Sequence, residues 1–215
     1  AVDASVCDVS KCGNSDNDTG LNTVVSVVVK LSDAIVDEIT DKPTFTYFHH
    51  YRTINAFIDS LLLKAGFFLE KNGYRYIAIP ASQTVEKGDN IPKGRYSHKK
   101  AAVLSGLGII GKNALFIHKK YGARVRLGTI FTDMPYNIEN PEIIKNDFCE
   151  NCGICVKSCP AMALNEESFD IDNPQKLLID AKACSDYMKK EFMDIGRGAV
   201  CGICMKVCPY FKNKV

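Results

Sequence analysis

The sequence lacks an excess of charge of either sign: 27 lysines and arginines stand against 25 aspartates and glutamates, a net charge of +2. No strong field is available to draw nucleic acid or an anionic membrane surface, so neither is an expected partner. Long apolar runs are missing too. Leu61-Leu62-Leu63 and Val24 to Val29 fall far short of the ~20 residues that cross a bilayer. Tryptophan is absent. No signal-peptide pattern opens the chain, so the expected setting is a reducing cytoplasm. With 46% hydrophobic and 24% charged residues over 215 positions, the composition is that of a globular chain able to bury a core, which excludes collagen-like and disordered classes.

Cysteine is what the sequence has in abundance: ten, eight of them between residues 149 and 208. A chain of this length has no need of a disulfide framework, so the thiols read as ligands. Cys149, Cys152, Cys155 and Cys159, followed by Pro160, give C-x2-C-x2-C-x3-C-P. That is the bacterial ferredoxin spacing, in which the fourth cysteine serves the other cluster. Three thiolates two residues apart wrap one face of an iron–sulfur cube. The proline suits the first position of a following helix.

A second copy follows. Cys152-Gly-Ile-Cys-Val-Lys-Ser-Cys-Pro160 and Cys201-Gly-Ile-Cys-Met-Lys-Val-Cys-Pro209 agree at seven of nine positions, offset by 49. The copy departs at one place: the partner of Cys149 is Gly198. Cys184 is the spare thiol nearby. The assignment is therefore Cys149, Cys152, Cys155 and Cys208 for one cluster, and Cys159, Cys184, Cys201 and Cys204 for the other. Zinc sites use paired C-x2-C arms, which a third cysteine at the same spacing and the Cys-Pro ending do not suit. Cys7 and Cys12 carry no such pattern and read as structural thiols.

Before the cysteine block the pattern mixes strands and helices, a layered arrangement. Residues 22–30 read as a buried strand. Ser32 caps a short helix ending near 39, and 43–72 read as a long helix stopped by Asn72-Gly73. Residues 74–80 read as a strand, 81–96 as a polar loop, 97–106 as a helix, 114–118 as extended and 124–132 as a strand. A further helix is expected over 174–192. The predicted division is residues 1–146 and 147–215.

Gly106-Leu-Gly108-Ile-Ile-Gly111 with Lys112 satisfies a dinucleotide pattern and nearly a phosphate loop. Both need a strand before the glycines and a helix after them, and here the order is reversed. The glycines instead allow a large ligand or another backbone to come close. His49-His50 and His98 lack metal-ligand spacing and read as surface or supporting residues. The lysine pairs read as solvated faces.

The string His98-Lys-Lys-Ala-Ala-Val-Leu-Ser-Gly-Leu-Gly-Ile-Ile-Gly-Lys-Asn113 resembles the central motif of the epoxyqueuosine reductases, as does Arg126-Leu-Gly-Thr-Ile-Phe-Thr-Asp133. The cysteine block has that family's order, an architecture shared with corrinoid-dependent reductive dehalogenases. The resemblance implies an α+β chain: a nitroreductase-like α/β corrinoid-type domain followed by a ferredoxin-like domain with two 4Fe-4S clusters. It implies base-off cobalamin held by the backbone around Gly106, Gly108, Ile110, Gly111, Lys112 and Asn113, with Ser82, Gln83 and His98 nearby. Where the family motif has Trp, this chain has Ile109. Where it has an acidic proton donor, this chain reads Pro80-Ala81-Ser82-Gln83. With Val215 seven residues past Cys208, the expectation is a compact relative without the tRNA-gripping helical repeats.

The leading functional expectation is an iron–sulfur oxidoreductase passing single electrons from a donor such as ferredoxin or flavodoxin to a corrinoid. It would serve reduction of a small substrate or corrinoid reactivation. The alternatives are a non-catalytic electron carrier and a reductase with FMN in place of corrinoid. A homodimer stays open.

Overall fold

The computed structural model describes residues 1–12, 19–82, 86–88, 91–136, 139–169 and 177–211. Strand β1 (Val2–Asp8) pairs antiparallel with β2 (Thr23–Lys30), setting Cys7 opposite Val24. The valine-rich β2 is buried along nearly its whole length, because β-branched side chains suit a pleated surface covered on both faces. The sequence pattern does not predict β1. Its mixed small and acidic residues become a strand by pairing with β2.

Helix α1 (Asp33–Asp37) begins at Ser32 as expected, but the serine side chain makes no capping bond. Its N–H instead donates to His50 Nε2 at 3.0 Å, which gives His50 a structural role. Helix α2 (Phe45–Lys71) ends where Asn72 and Gly73 turn the chain, with Gly73 at φ +84°. Strand β3 (Tyr76–Ile79) follows. The expected polar loop contains a small antiparallel pair, β4 (Glu86–Gly88) and β5 (Ile91–Lys93). These charged segments lack the hydrophobic alternation that marks a strand in sequence.

Helix α3 (His98–Leu104) is capped by the Ser97 hydroxyl, which accepts from Lys100 N. Strands β6 (Gly108–Ile110) and β7 (Phe116–His118) form a two-stranded sheet, and β8 (Val125–Thr132) follows. The main sheet has the order β1-β2-β8-β3. Its last pair is antiparallel, with Ile79 opposite Thr129. Past residue 146 come α4 (Ile154–Lys157), α5 (Ala181–Glu191) and α6 (Ile203–Lys206). Helix α5 starts later than predicted, at an Asp180 cap that accepts from Ala183 N. Pro160 opens a turn rather than a helix, whereas Pro209 begins a 3-10 turn. Among the described residues, no helix is long and apolar enough to cross a membrane.

The chain forms two compact units, each built from three stretches of sequence: residues 1–30, 53–108 and 126–144 in the first, and 31–52, 109–125 and 145–215 in the second. The composition shift near 146 marks where the cysteines begin, whereas a core assembles whichever segments carry matching apolar faces. In the first unit, Ile58, Leu62 and Leu69 of α2 pack on Val27, Val29 and Ile130 of the sheet. Each such side chain contributes about 1.5–3 kcal/mol on full burial. In the second unit the fully buried Arg124 donates to Asp33 Oδ1 at 3.2 Å and Asp37 Oδ1 at 2.7 Å, which holds α1 in place.

Candidate metal centres

The sequence repeat is also a backbone repeat. Gly153 and Gly202 both take the left-handed conformation, at φ 61° and 85°, and each starts a four-residue helix, α4 or α6. That conformation suits glycine. It turns each loop so that cysteines three residues apart face a common space.

Two cavities result, both within the second unit. One is lined by Cys149, Cys152, Cys155 and Cys208, with Lys112, Asn113 and Phe148 among its walls. The other is lined by Cys159, Cys184, Cys201 and Cys204, with Tyr187 and Met188 beside them. The eight thiols thus sort into two sets of four, and Cys159, although on the first loop, stands with the second set. Among the described residues, no three His, Cys, Asp or Glu converge closely enough to share a single metal ion. The thiols ring a space.

Electrostatics repeats the partition. Burial, then the thiolates of Cys201, Cys184 and Cys159, push the Cys204 thiol up to about 12. Burial, then Cys149 and its loop neighbours, push Cys208 up to about 11. Burial raises Cys155, Cys184 and Cys201 as well. Thiols so placed resist ionising next to one another, and bound iron reverses that preference because a coordinating thiol is deprotonated outright. Cys204 also feels Cys155, so the two sets are neighbours.

Gly198 explains the missing eighth thiol of the repeat. It holds φ +65°, and a Cβ there would lie 2.6 Å from Lys189 Cα and 2.8 Å from the Met188 carbonyl oxygen. Helix α5 occupies the place where a side chain at 198 would go, and α5 carries Cys184 into the second cavity. The helix that excludes a cysteine at 198 supplies its substitute.

The residues expected around a corrinoid fall into two groups. Ser82 and His98 line one open cavity of about 250 Å3 in the first unit. Gln83 lies outside the described residues. His98 Nε2 donates to the Pro80 carbonyl at 2.9 Å, so its Nδ1 accepts from the Thr129 hydroxyl at 2.8 Å. Burial lowers its pKa, opposed in part by its bond to the Pro80 carbonyl. The net direction favours the neutral ring, with both nitrogens engaged.

At Gly106 (φ +64°) a Cβ would meet the Glu142 carbonyl oxygen at 3.0 Å, so the close approach there is by the chain's own backbone. Helix α3 precedes Gly106 and β6 starts at Gly108, the reverse of a nucleotide loop. The Ile110 carbonyl accepts from Asn146 Nδ2 at 3.0 Å. Lys112 and Asn113 line the first thiol cavity, and a Cβ at Gly111 would stand 3.4 Å from Cys149 Sγ. Cys7 is buried and accepts from the Ser105 hydroxyl at 3.3 Å, a structural contact. The Cys12 side chain lies outside the described residues.

Residues 148–211 match the family model of a 4Fe-4S double cluster binding domain. An epoxyqueuosine reductase of Listeria monocytogenes is 31% identical over 122 residues, covering 56% of this chain and 31% of that protein. A tetrachloroethene reductive dehalogenase of Desulfitobacterium hafniense is 30% identical over 165 residues, 71% of this chain and 26% of that protein. The chain is a relative of both reductase groups. It spans about a quarter to a third of the length of these curated relatives.

Solved structures of the same two groups share its fold. The catabolic reductive dehalogenase NpRdhA, in complex with 3-bromo-4-hydroxybenzoic acid, superposes with TM-score 0.77 at 16% identity, over 97% of this chain and 30% of that one. Epoxyqueuosine reductase from Streptococcus thermophilus gives 0.55 at 18% identity, over 98% and 62%. In this relative of the reductases, residues 148–211 are thus the 4Fe-4S domain of a mixed α/β chain. Neither the family model nor these relatives support flavin.

Several supporting residues carry no sequence signal of their own. Asp59 on α2 accepts from Ala81 N at 2.8 Å, which fixes the loop where the family resemblance expects a carboxylate. Arg126 donates to Asn55 Oδ1 at 2.9 Å and to the Ala81 carbonyl at 3.4 Å. Asn146 accepts from Cys149 N at 3.3 Å. Apart from Asn146 and Cys149, three residues apart, the partners are far away in sequence, so spacing cannot reveal the pairing.

Proposed function

We propose that this chain is an iron–sulfur oxidoreductase that passes single electrons through two 4Fe-4S clusters to a bound corrinoid, for reduction of a small substrate or reactivation of a corrinoid. The observation that carries the reading is the sorting of eight thiols into two adjacent four-thiol cavities. Cys149, Cys152, Cys155 and Cys208 hold one cluster, and Cys159, Cys184, Cys201 and Cys204 hold the other. Loaded clusters act as one-electron carriers, and the corrinoid supplies the reducing chemistry at its cobalt.

The rest is work for the protein's own groups. Asn146 orients the first thiol loop through its bonds to Cys149 N and the Ile110 carbonyl. Support for corrinoid comes from the dehalogenase relatives, one of whose structures is titled for B12-dependent dehalogenation and covers 97% of this chain at TM-score 0.73. Both nitrogens of His98 are engaged by Pro80 and Thr129, so His98 would line a corrinoid site rather than offer a free nitrogen to it. An external electron donor and a cytoplasmic setting complete the proposal.

The test is an anaerobic titration of the iron-loaded protein with cob(II)alamin, followed by electron paramagnetic resonance. A shift of the cobalt signal to a base-off form supports the reading. An unchanged cobalt signal beside intact clusters rejects the corrinoid and leaves an electron carrier.

A further inference from the structure

The end of the glycine-rich string has a place that a nucleotide loop would not give it. Gly111, Lys112 and Asn113 form the turn between β6 and β7, closed by Ala114 N donating to the Gly111 carbonyl at 2.8 Å. A Cβ at Gly111 would stand 2.5 Å from Ile117 Cδ1 and 3.4 Å from Cys149 Sγ. The turn therefore lies directly against a thiol of the first set.

Lys112 lines that cavity, and its ammonium donates to the Glu150 carbonyl at 2.9 Å. The bond tethers a positive charge beside the first thiol loop. Asn113 is 2% exposed and lines the same cavity. Its Oδ1 accepts from Leu115 N at 3.1 Å, and its Nδ2 donates to the Cys204 carbonyl at 3.4 Å. One side chain thus braces the turn and ties it to the second thiol loop.

We infer that this turn is the potential-setting wall of the first cluster: Lys112 biases that cluster toward its reduced state, while Asn113 ties the turn to the second thiol loop. The inference rests on the proposed reading of Cys149, Cys152, Cys155 and Cys208 as ligands of one cluster. Each electron taken up makes a cluster more negative by one charge, so a tethered cation stabilises the reduced form more than the oxidised one. Net charge and hydrogen bonding near the sulfurs are the levers that set such potentials. Lys112 lines the first cavity, while the second is walled by Tyr187, Met188 and apolar residues. The bias is therefore selective.

The experiment compares the full iron-loaded chain with Lys112→Gln and Lys112→Arg, by iron analysis and by redox titration followed by electron paramagnetic resonance. The expected result is unchanged iron in all three. In Lys112→Gln the oxidised-to-reduced ratio of one cluster at fixed potential rises about tenfold, a fall of about 59 mV for one electron. The other cluster does not move, and Lys112→Arg restores the wild-type curve. Two unmoved clusters in Lys112→Gln overturn the inference, as does a shift that arginine fails to restore. A wild-type chain without 4Fe-4S signals overturns the reading of the cysteines and this inference with it.

Discussion

Replacing Gly198 with alanine probes how the second thiol set is built. The backbone there is left-handed, at φ +65°, and the new methyl would meet Lys189 Cα at 2.6 Å and the Met188 carbonyl oxygen at 2.8 Å. A left-handed alanine costs about 1–2 kcal/mol. The contact is with helix backbone, so α5 must shift, at about the 1–3 kcal/mol seen when a packed site is overfilled. Together these destabilise the fold by about 2–5 kcal/mol.

Gly73→Ala isolates the first cost, because Gly73 has φ +84° and nothing within 4 Å of a Cβ. Calorimetry of the anaerobic iron-loaded proteins measures both. At about 2–4 °C per kcal/mol for a chain of this size, Gly198→Ala should lower Tm by at least about 4 °C and by more than Gly73→Ala. Because α5 carries Cys184, Gly198→Ala should also lose iron, and Gly73→Ala should not. Equal melting and equal iron in the two variants would refute the claim that helix packing keeps residue 198 a glycine.

Two further expectations concern single side chains. Cys184→Ser and Cys208→Ser should each retain about half the iron, with different residual electron paramagnetic resonance signals; the same residual signal from both would break the assigned sets. His98 has its pKa lowered by burial, so between its folded pKa and the ordinary value near 6.5 the unfolded chain binds the extra proton. Its contribution to stability is then complete above about pH 6.5 and is lost as the pH falls toward the folded value. Urea midpoints of wild type and His98→Gln should converge as the pH drops from 7.5 to about 5; a constant gap would show that His98 is not held neutral.

Much of the fold was legible because its signals are local. The valines of β2, the long period of α2 with its Asn72-Gly73 stop, and the Ser97 cap of α3 all act within a few residues. Strand β1 and the bonds of Asp59 to Ala81 and of Asn146 to Ile110 were not legible, since each depends on a partner that the folded chain brings in, and the β4–β5 pair lacks the hydrophobic alternation that marks a strand. The expected corrinoid residues were only partly placed together: Ser82 and His98 share a cavity, whereas Lys112 and Asn113 stand at the first thiol set.

The sequence by itself determined the iron–sulfur chemistry. Ligand spacing is a chain-geometry constraint: C-x2-C-x2-C winds a loop around one group, and the repeat displays two such loops with one thiol missing. Tertiary structure decided how that gap is filled and what surrounds the thiols. Helix α5 packs so tightly on residue 198 that a side chain has no room there, and it brings Cys184 from the far side instead. The β6–β7 turn comes against Cys149 from a segment more than thirty residues earlier. Contacts of that kind depend on packing between distant segments, and packing is settled only when the whole core is assembled.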